Sequence, residues 1–183
     1  MKIIAFAGSP RIGGNSDLLL DQVIAGAKDA GAEVEKVYLN KLNIRPCQAC
    51  DGCRRPGATG CVVKDDMQPL YDKLLDADAW VLATPVYWWG PSAQLKLMVD
   101  RWYGFYRHHR EEIAGRQAAL VVTMGDDEAK TAHPTKEMFQ DAFDYLKMEL
   151  VEPLVVTASD KGEVKTNSEA LANAYRLGKS LVK

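Results

Sequence analysis

Five short apolar runs alternate with longer segments of helical period, and this alternation limits the folds that the chain can adopt. The segments between the runs place apolar residues three, four and seven positions apart, as on one face of an α-helix. Strands that alternate with helices form a parallel sheet covered on both faces. The sequence therefore predicts a single α/β domain over residues 1–183. The predicted strands are Lys2–Ala7, Val34–Leu39, Ala79–Thr84, Ala118–Met124 and Leu154–Thr157.

Local signals set the ends of the predicted helices. Asn15 or Ser16 is expected to cap the first helix, and Gly31 follows its end. Pro91 stands where the first residue of the third helix is expected. The segment Tyr103–Gly115 breaks the alternation before the fourth strand, and its arginines and histidines predict a polar surface loop.

Five strands and five helices fit a flavodoxin-like fold, a three-layer sandwich whose five-stranded parallel sheet has the order 2-1-3-4-5. In that order the first, third and fourth strands are neighbours, and their carboxyl ends meet where the strand order reverses. Open α/β sheets bind their ligands at this point. The loops Gly8–Gly14, Pro85–Gly90 and Gly125–Pro134 are therefore expected to meet there.

Charge and hydropathy argue against several classes of function. A net charge of −2 gives no electrostatic basis for binding nucleic acid or an anionic membrane. No apolar run approaches the roughly 20 residues that span a bilayer, and "KIIAFAG" is too short for a secretory signal. We expect a cytoplasmic protein that binds neither nucleic acid nor membrane.

The first loop, "GSPRIGGNS", is rich in glycine but matches neither common nucleotide fingerprint. A P-loop requires a lysine after its second spaced glycine, and Gly14 stands at that position. The dinucleotide pattern G-x-G-x-x-G fails as well, because serine and proline follow Gly8 directly. The loop therefore lacks the groups for a triphosphate with Mg²⁺ or for a pyrophosphate.

A single phosphate monoester suits this loop. Backbone N–H groups at the start of a helix, with the positive end of the helix dipole behind them, attract an anion. Polar side chains add donors for phosphate oxygens, namely Ser9, Arg11, Asn15 and Ser16. The alternative is a tight strand-to-helix turn with an ordinary cap.

Three aromatic residues in succession, Tyr87, Trp88 and Trp89, follow a buried strand within "TPVYWWGPSAQLK". Large aromatic side chains at a loop tip are costly to expose, so they are expected to cover a flat ligand or another subunit. Packing in the core is the alternative, although a loop at a strand end is a poor position for it.

These two loops together, "GSPRIGGNS" and "TPVYWWGPSAQLKLMVDRW", resemble the NAD(P)H-dependent FMN reductase family of the flavodoxin-like superfamily. The resemblance extends over nearly the whole chain in order and spacing. It implies that the first loop holds the FMN phosphate through Ser9, Arg11, Asn15 and Ser16. It implies that the second loop cradles the isoalloxazine ring through Pro85, Val86, Tyr87, Trp88 and Gly90.

The resemblance also implies an oligomeric state, and one loop of the chain differs from the family. Members of the family are dimers or tetramers, which implies a homodimer or homotetramer here, with Tyr103–Tyr106 as an interface element. The third loop, "MGDDEAKTAHP", departs from the Gly-rich turn that the family often has there.

Four cysteines with the spacing C-x₂-C-x₂-C-x₇-C form a separate motif, Cys47, Cys50, Cys53 and Cys61. In a reducing compartment such clustering indicates metal or redox chemistry rather than disulfides. Four thiolates can hold a 4Fe–4S cluster, and the segment resembles the cysteine motif of iron–sulfur flavoproteins, a branch of the same family. Zn²⁺ would also accept four thiolates. Unmetallated thiols are the third alternative, because spacing alone does not select a metal.

Charged residues near the cysteines and after the third helix have predicted electrostatic roles. Arg54 and Arg55 are expected to offset part of the negative charge of a thiolate-bound cluster. Asp100 and Arg101 follow the apolar face of the third helix and are expected to form local ion pairs.

The implied activity is that of an FMN-dependent oxidoreductase. It takes a hydride from NAD(P)H and reduces a small acceptor such as a quinone, a nitro compound or an azo compound. Because FMN supplies the chemistry, no catalytic side chain is assigned. One alternative is an iron–sulfur flavoprotein that passes electrons from a ferredoxin-like donor through a 4Fe–4S cluster to FMN. Another is a flavodoxin-type electron carrier, although such carriers are strongly acidic and this chain has a net charge of only −2.

Overall fold

A β-sheet forms the central layer of the computed structural model, which describes residues 1–182 apart from the side chain of Ala129. The sheet runs in the order β2-β1-β3-β5, and both β6 and β7 pair with β5. These pairings are parallel, whereas the short β4 is antiparallel to β3. The predicted order 2-1-3-4-5 is therefore confirmed. The strands are β1 (Lys2–Ala7), β2 (Glu33–Tyr38), β3 (Ala79–Tyr87), β4 (Gly90–Pro91), β5 (Gln117–Met124), β6 (Glu149–Leu150) and β7 (Leu154–Thr157).

Helices cover both faces of the sheet, as predicted. The first and last helices pack on one face, and the four between them pack on the other. Within residues 1–182, no helix combines the length and the apolar character of a membrane-spanning segment. The helices are α1 (Asn15–Asp29), α2 (Gln68–Asp76), α3 (Ala93–Asp100), α4 (Trp102–Ile113), α5 (Ala129–Leu146) and α6 (Ser168–Ser180).

Side chains of β1 alternate between two cores because successive strand residues point to opposite faces. Ile4 and Phe6 lie in the core beneath α2, α3, α4 and α5, whereas Ile3 and Ala5 lie in the core beneath α1 and α6. β3 and β5 are buried over most of their length, as expected for central parallel strands. β2 is more exposed because it forms an edge of the sheet.

The surface loop predicted for Tyr103–Gly115 is wrong, because α4 occupies most of that segment. One face of the helix is aromatic and packs on the buried Trp80. The Trp80 ring lies 5.6 Å from the Trp102 ring and 5.8 Å from the Phe105 ring, measured between centroids. Because the arginines, histidines and glutamates of the segment lie on the other faces, the polar composition of the segment hides its helical period.

Two predicted helix starts are also wrong. Gly14 is the N-cap of α1, with an extended backbone and no side-chain cap, so neither Asn15 nor Ser16 has that role. Pro91 belongs to β4, and Ser92 caps α3 by accepting a hydrogen bond from the backbone of that helix. The predicted third loop is shorter than Gly125–Pro134, because α5 begins at Ala129.

Candidate functional site

A cleft of about 240 Å³ lies at the carboxyl ends of β1, β3, β5 and β7. This is the position where open α/β sheets bind ligands. The cleft brings together most of the residues predicted for the cofactor, while Trp88 and Gly90 lie outside its lining. The predicted residues that line it are Ser9, Arg11, Asn15, Ser16, Pro85, Val86 and Tyr87.

The amino end of α1 opens into this cleft. The first backbone hydrogen bond of the helix runs from Leu18 N to Gly14 O (2.9 Å), so the N–H groups of residues 15–17 precede the first helical acceptor. No side chain caps this end. Ser9 and Ser16 are buried beside it, and Arg11 is exposed at its rim. Free N–H groups, two hydroxyls and a guanidinium form a site for a small anion.

A buried carboxylate shapes the loop that leads into α1. Asp17 Oδ2 accepts a hydrogen bond from Gly13 N (2.7 Å), at a glycine whose φ of +70° lies in the left-handed region. Asp17 Oδ1 lies 2.6 Å from Lys36 Nζ on the neighbouring strand. Burial lowers the pKa of Lys36, but the carboxylates of Asp17 and Asp21, which lie against its ammonium, outweigh burial and raise it to about 12. Lys36 therefore stays charged and offsets the negative charge of Asp17 beside the anion site.

Asn15 joins the first loop to the segment that follows β7. Its Nδ2 donates to Ala158 O (3.1 Å) and Asp160 O (2.8 Å), and its Oδ1 accepts from Val164 N (3.3 Å). The amide is thus engaged by backbone groups. Its contacts fix the position of residues 158–161, which form one wall of the cleft.

Sequence reasoning missed several residues of the cleft. They are Thr123, near the end of β5, and Ser159 and Lys161, which follow β7. The predicted sheet order already placed the ends of these strands beside the first loop. Residues at and directly after each strand end could therefore have been predicted to line the cleft. Lys161 adds a second basic side chain to the wall of the cleft.

The aromatic tip forms a tight hairpin between β3 and β4. Trp88 and Trp89 both have left-handed backbone, with φ of 50° and 61°, and such strain is retained where the surrounding structure fixes it. Thr135 Oγ1 donates to Trp89 O (3.0 Å) and holds the tip against α5. Trp88 is 90% exposed and Tyr87 42% exposed. Packing of Trp88 in the core is therefore excluded.

All four cysteines line one apolar cavity of about 260 Å³. Each of them is a free thiol; Cys47 and Cys50 are exposed, and Cys53 and Cys61 are half-buried. The pKa of the Cys53 thiol is raised, first by burial and then by the charges of the other three cysteines. The fold thus brings together residues that are up to fourteen positions apart in the sequence.

Cys53 and Cys61 contact the helices α2 and α4, of which α4 occupies the segment predicted as a loop. His108 Nε2 lies 2.9 Å from Cys53 O, and Gln68 Nε2 donates to Cys61 O (2.8 Å). The backbone of Cys61 lies against Gly104 of the helix. Two cysteines are therefore held by the folded domain, whereas Cys47 and Cys50 lie on the exposed outer part of the segment.

The arrangement of these thiols bears on the choice of metal. A single tetrahedral Zn²⁺ with Zn–S bonds of about 2.3 Å needs sulfurs roughly 3.8 Å apart. Among the described residues, no group of three or more His, Cys, Asp or Glu side chains is arranged to hold one metal ion. In a 4Fe–4S cluster each thiolate binds a different iron, so its ligands stand farther apart. The four cysteines thus share one cavity without being grouped as a single-ion site among the described residues.

A buried ion pair lies next to the cysteine cavity. Arg101 Nη1 lies 2.6 Å from Asp65 Oδ2, and both side chains are almost fully buried. Burial raises the pKa of Asp65, but hydrogen bonds from Arg101 and from two backbone groups outweigh burial and lower it. The local ion pair predicted for Arg101 is wrong, because its partner lies 36 residues away. Asp100 does pair locally, with Lys96 at 2.5 Å.

A larger groove of about 740 Å³ runs along the other side of Cys61, between residues 57–62 and α2. Its described lining includes Asp72 and His109 but no lysine or arginine. The amino end of α2 reaches this groove, but the N–H of Gln68 is bonded to Asp65 O (3.1 Å) and Pro69 has no N–H to offer an anion. The groove therefore lacks the groups that would bind a phosphate, and the smaller cleft is the candidate cofactor site.

Comparison with known proteins decides the family. A family model described as NADPH-dependent FMN reductase matches residues 1–162. The chain belongs to that reductase family. The predicted resemblance is confirmed, and with it the assignment as an oxidoreductase. YwqN of Bacillus subtilis (strain 168), whose name describes an NAD(P)H-dependent FMN-containing oxidoreductase, is 29% identical over 97% of this chain and 96% of its own length.

Other relatives of this FMN reductase family member carry an iron–sulfur name. An iron–sulfur flavoprotein of Methanosarcina thermophila is 39% identical over 55% of this chain and 52% of its own length. One of Archaeoglobus fulgidus is 36% identical over 67% of this chain and 54% of its own length. The alignments with these iron–sulfur relatives thus span about half of their length.

Solved structures similar to this reductase family member have the same fold. Trp repressor binding protein from Bacillus subtilis superimposes with a TM-score of 0.74 and 25% identity, over 97% of this chain and 98% of that one. An NAD(P)H:quinone oxidoreductase from Methanothermobacter marburgensis superimposes with a TM-score of 0.76 and 21% identity, over 98% and 95%. The flavodoxin-like fold class is confirmed.

Proposed function

We propose that the chain is an FMN-dependent oxidoreductase that takes a hydride from NAD(P)H and reduces a small acceptor such as a quinone, a nitro compound or an azo compound. The cleft supports this proposal, because the uncapped amino end of α1 meets Ser9, Ser16 and Arg11 at the carboxyl end of the sheet. When bound, FMN supplies the hydride chemistry. The residues of the chain bind it, orient it and control access to it.

The phosphate end of the cleft fits one terminal phosphate. Backbone N–H groups of residues 15–17 and the hydroxyls of Ser9 and Ser16 are its inner donors. Arg11 and Lys161 bring positive charge from two different loops. Asn15, predicted as a direct ligand, instead has the proposed role of holding residues 158–161 in place.

The other end of the cleft is proposed to hold the isoalloxazine ring. Pro85, Val86 and Tyr87 line it where β3 ends. Trp88 stands next in the chain and is highly exposed, so its ring is free to cover one face of a flat ligand. Gly90 closes the hairpin that presents both aromatic residues.

Anaerobic reduction tests this proposal directly. Flavin-free protein is titrated with FMN, FAD and riboflavin, and the FMN complex is then mixed with NADH or NADPH. We expect FMN to bind most tightly and its absorbance near 450 nm to bleach with one nicotinamide, then to return when a quinone is added. Failure to bind FMN, or a bound FMN that neither nicotinamide reduces, would contradict the proposal.

A second candidate function is that of an iron–sulfur flavoprotein, which passes electrons from a ferredoxin-like donor to FMN. The lining of one cavity by Cys47, Cys50, Cys53 and Cys61 favours it. Thiolates at these positions would hold a 4Fe–4S cluster, which supplies one-electron transfer when bound.

Metal analysis after anaerobic reconstitution with iron and sulfide tests the second candidate. About four irons per chain are expected, and Cys50→Ser should abolish the binding because it removes one of four ligands. A folded, FMN-binding protein with four titratable thiols and no iron would leave only the first function.

We propose that the chain forms a homodimer or homotetramer in the cytoplasm. Tyr103 is a large aromatic side chain that is 43% exposed, and a second subunit would cover it. Light scattering coupled to size exclusion measures the mass directly, and a monomer at micromolar concentration would contradict this assembly.

A further inference from the structure

Arg101 belongs to the lining of the cysteine cavity, a position that the cysteine motif itself does not reveal. The Arg101 side chain is 0% exposed. It lines the same cavity as the four cysteines. By contrast, Arg54 and Arg55, which the sequence suggested as charge partners of a cluster, are exposed and do not line the cavity.

Four of the five N–H donors of the Arg101 guanidinium have acceptors in the protein. Nη1 donates to Asp65 Oδ2 (2.6 Å) and Arg45 O (2.9 Å), and Nη2 donates to Asp65 Oδ1 (3.2 Å) and Val63 O (3.2 Å). The buried Nε–H has no acceptor in the part of the protein that the structure describes. A buried unpaired donor is costly, so its environment suits an acceptor that the polypeptide does not supply.

Cys61 and Arg101 line the same cavity. Burial lowers the pKa of Arg101, whereas Asp65, Tyr71 and Cys61 raise it, with a net increase. The Tyr71 hydroxyl donates to Arg101 O (3.1 Å), so the backbone at the start of α4 is held as firmly as the side chain. Cys61 thus shares its cavity with a cation that several hydrogen bonds hold in place.

Only one member of the Arg101–Asp65 ion pair belongs to the lining of the cavity. Arg101 lines the cavity and Asp65 does not, so the pair presents its cationic end to the cysteines. Charge and hydrogen bonds near the sulfur ligands set the reduction potential of an iron–sulfur centre. We propose that Arg101 is a positioning residue that stabilises negative charge on Cys61 and so favours the reduced form of a bound cluster. This inference rests on the second candidate function.

Redox titration of the reconstituted protein tests the role of Arg101. The wild type is compared with the double variant Asp65→Asn/Arg101→Gln, which removes the buried pair but keeps the net charge, and with Arg101→Lys. Arg55→Gln is the matched control, because it removes an exposed positive charge from the cysteine segment itself. Iron per chain and FMN content are measured for each, and the cluster absorbance is followed as the applied potential is changed.

The double variant is expected to lower the ratio of reduced to oxidised cluster about tenfold at a fixed potential, a shift of about 59 mV for one electron. Arg101→Lys keeps the charge and loses the Nε–H, so a smaller shift in the same direction is expected. Arg55→Gln should change the ratio far less, because an exposed charge is screened. If the double variant loses FMN and fails to fold, Arg101→Lys decides alone.

Two results would overturn the inference while leaving the iron–sulfur function in place. One is a loaded Arg101 variant with the wild-type ratio, and the other is an equal shift in Arg55→Gln. A wild type that binds no iron would overturn the iron–sulfur function and this inference together.

Discussion

Gly104 of α4 lies directly against Cys61. A Cβ added at Gly104 would come within 3.0 Å of the Cβ of Cys61 and within 3.1 Å of its backbone nitrogen. Contacts this short are tighter than most in folded proteins, so a side chain at this position would require Cys61 to shift by a few tenths of an ångström. The close approach fixes the fourth cysteine of the motif on the folded domain.

Gly104→Ala should displace Cys61 without unfolding the protein. Alanine in a helix interior is favoured over glycine by about 0.5–1 kcal/mol, which offsets part of the cost of the clash. We expect faster alkylation of Cys61, measured by mass spectrometry, and reduced iron binding after reconstitution. FMN affinity should stay the same.

Gly60→Ala is the matched control for this change. A Cβ at Gly60 would meet no atom within 4 Å, although the residue lies next to Cys61. Equal alkylation rates in Gly104→Ala, Gly60→Ala and the wild type would show that the contact with α4 does not hold Cys61.

The sheet could be predicted from the sequence, but α4 could not. β3 and β5 are buried on both faces, so each is a nearly continuous apolar run that indicates a strand on its own. The α4 segment buries a narrow aromatic face between charged residues, and its period becomes visible only when Trp80 and Phe143 are known to lie beneath it. Its partners are distant in the sequence.

In the candidate site, too, some residues could be predicted from the sequence and others could not. Ser9, Ser16 and Tyr87 were predictable because they lie close to the carboxyl ends of β1 and β3, where the sheet order places a ligand. The contribution of Lys161 depends on the long-range hydrogen bonds of Asn15, which no local pattern reveals. The pairing of Arg101 with Asp65 was hidden for the same reason, since it joins the start of α4 to an irregular segment before α2.

Arg11→Ala and Ser16→Ala should weaken the binding of FMN much more than that of riboflavin. Both residues line the end of the cleft where α1 begins, and riboflavin lacks the phosphate that they would contact. Removing one charge-assisted hydrogen bond costs about 1.5–3 kcal/mol, which is roughly a tenfold or larger loss of affinity. Fluorescence titration with both flavins measures the difference, and Arg107→Ala, an exposed arginine on α4, is the control. Equal losses for the two flavins would place Arg11 and Ser16 away from the phosphate.

Trp88→Ala should change the flavin spectrum and the turnover of flat acceptors while the fold stays intact. Trp88 is 90% exposed at a hairpin tip beside the cleft, so its removal opens no hole in the core. A covering indole quenches flavin fluorescence, and its loss should make the bound FMN brighter. The comparison variant is Tyr145→Ala, which removes an aromatic side chain that is 56% exposed on α5. Unchanged fluorescence and turnover, together with a smaller assembly in solution, would assign Trp88 to a subunit contact instead.

Lys36→Met should reduce both stability and FMN affinity, because Lys36 Nζ lies 2.6 Å from Asp17 Oδ1 at the start of α1. Without the ammonium, a buried carboxylate beside the anion site is left uncompensated. The variant also loses the hydrogen bond from Lys36 Nζ to Asp21 Oδ1 (2.5 Å). Loss of a hydrogen bond between charged groups costs about 1.5–3 kcal/mol, measured as the free energy of unfolding in urea at pH 7. Riboflavin affinity should fall less than FMN affinity, since only FMN brings a second negative charge close to Asp17.

The pH dependence of stability follows from the same pair, because the pKa of Lys36 rises from 10.5 to about 12 on folding. A raised pKa in the folded protein means that the contribution of Lys36 is complete below pH 10.5 and is lost as the pH rises through about 12. The difference in unfolding free energy between wild type and Lys36→Met should therefore shrink over that interval. Lys73→Met is the control, since Lys73 pairs with Glu35 on the same strand but both side chains are exposed, and such pairs contribute about 0–1 kcal/mol. A difference that stays constant up to pH 12, or an equal effect of Lys73→Met, would show that the Lys36–Asp17 pair does not stabilise the start of α1.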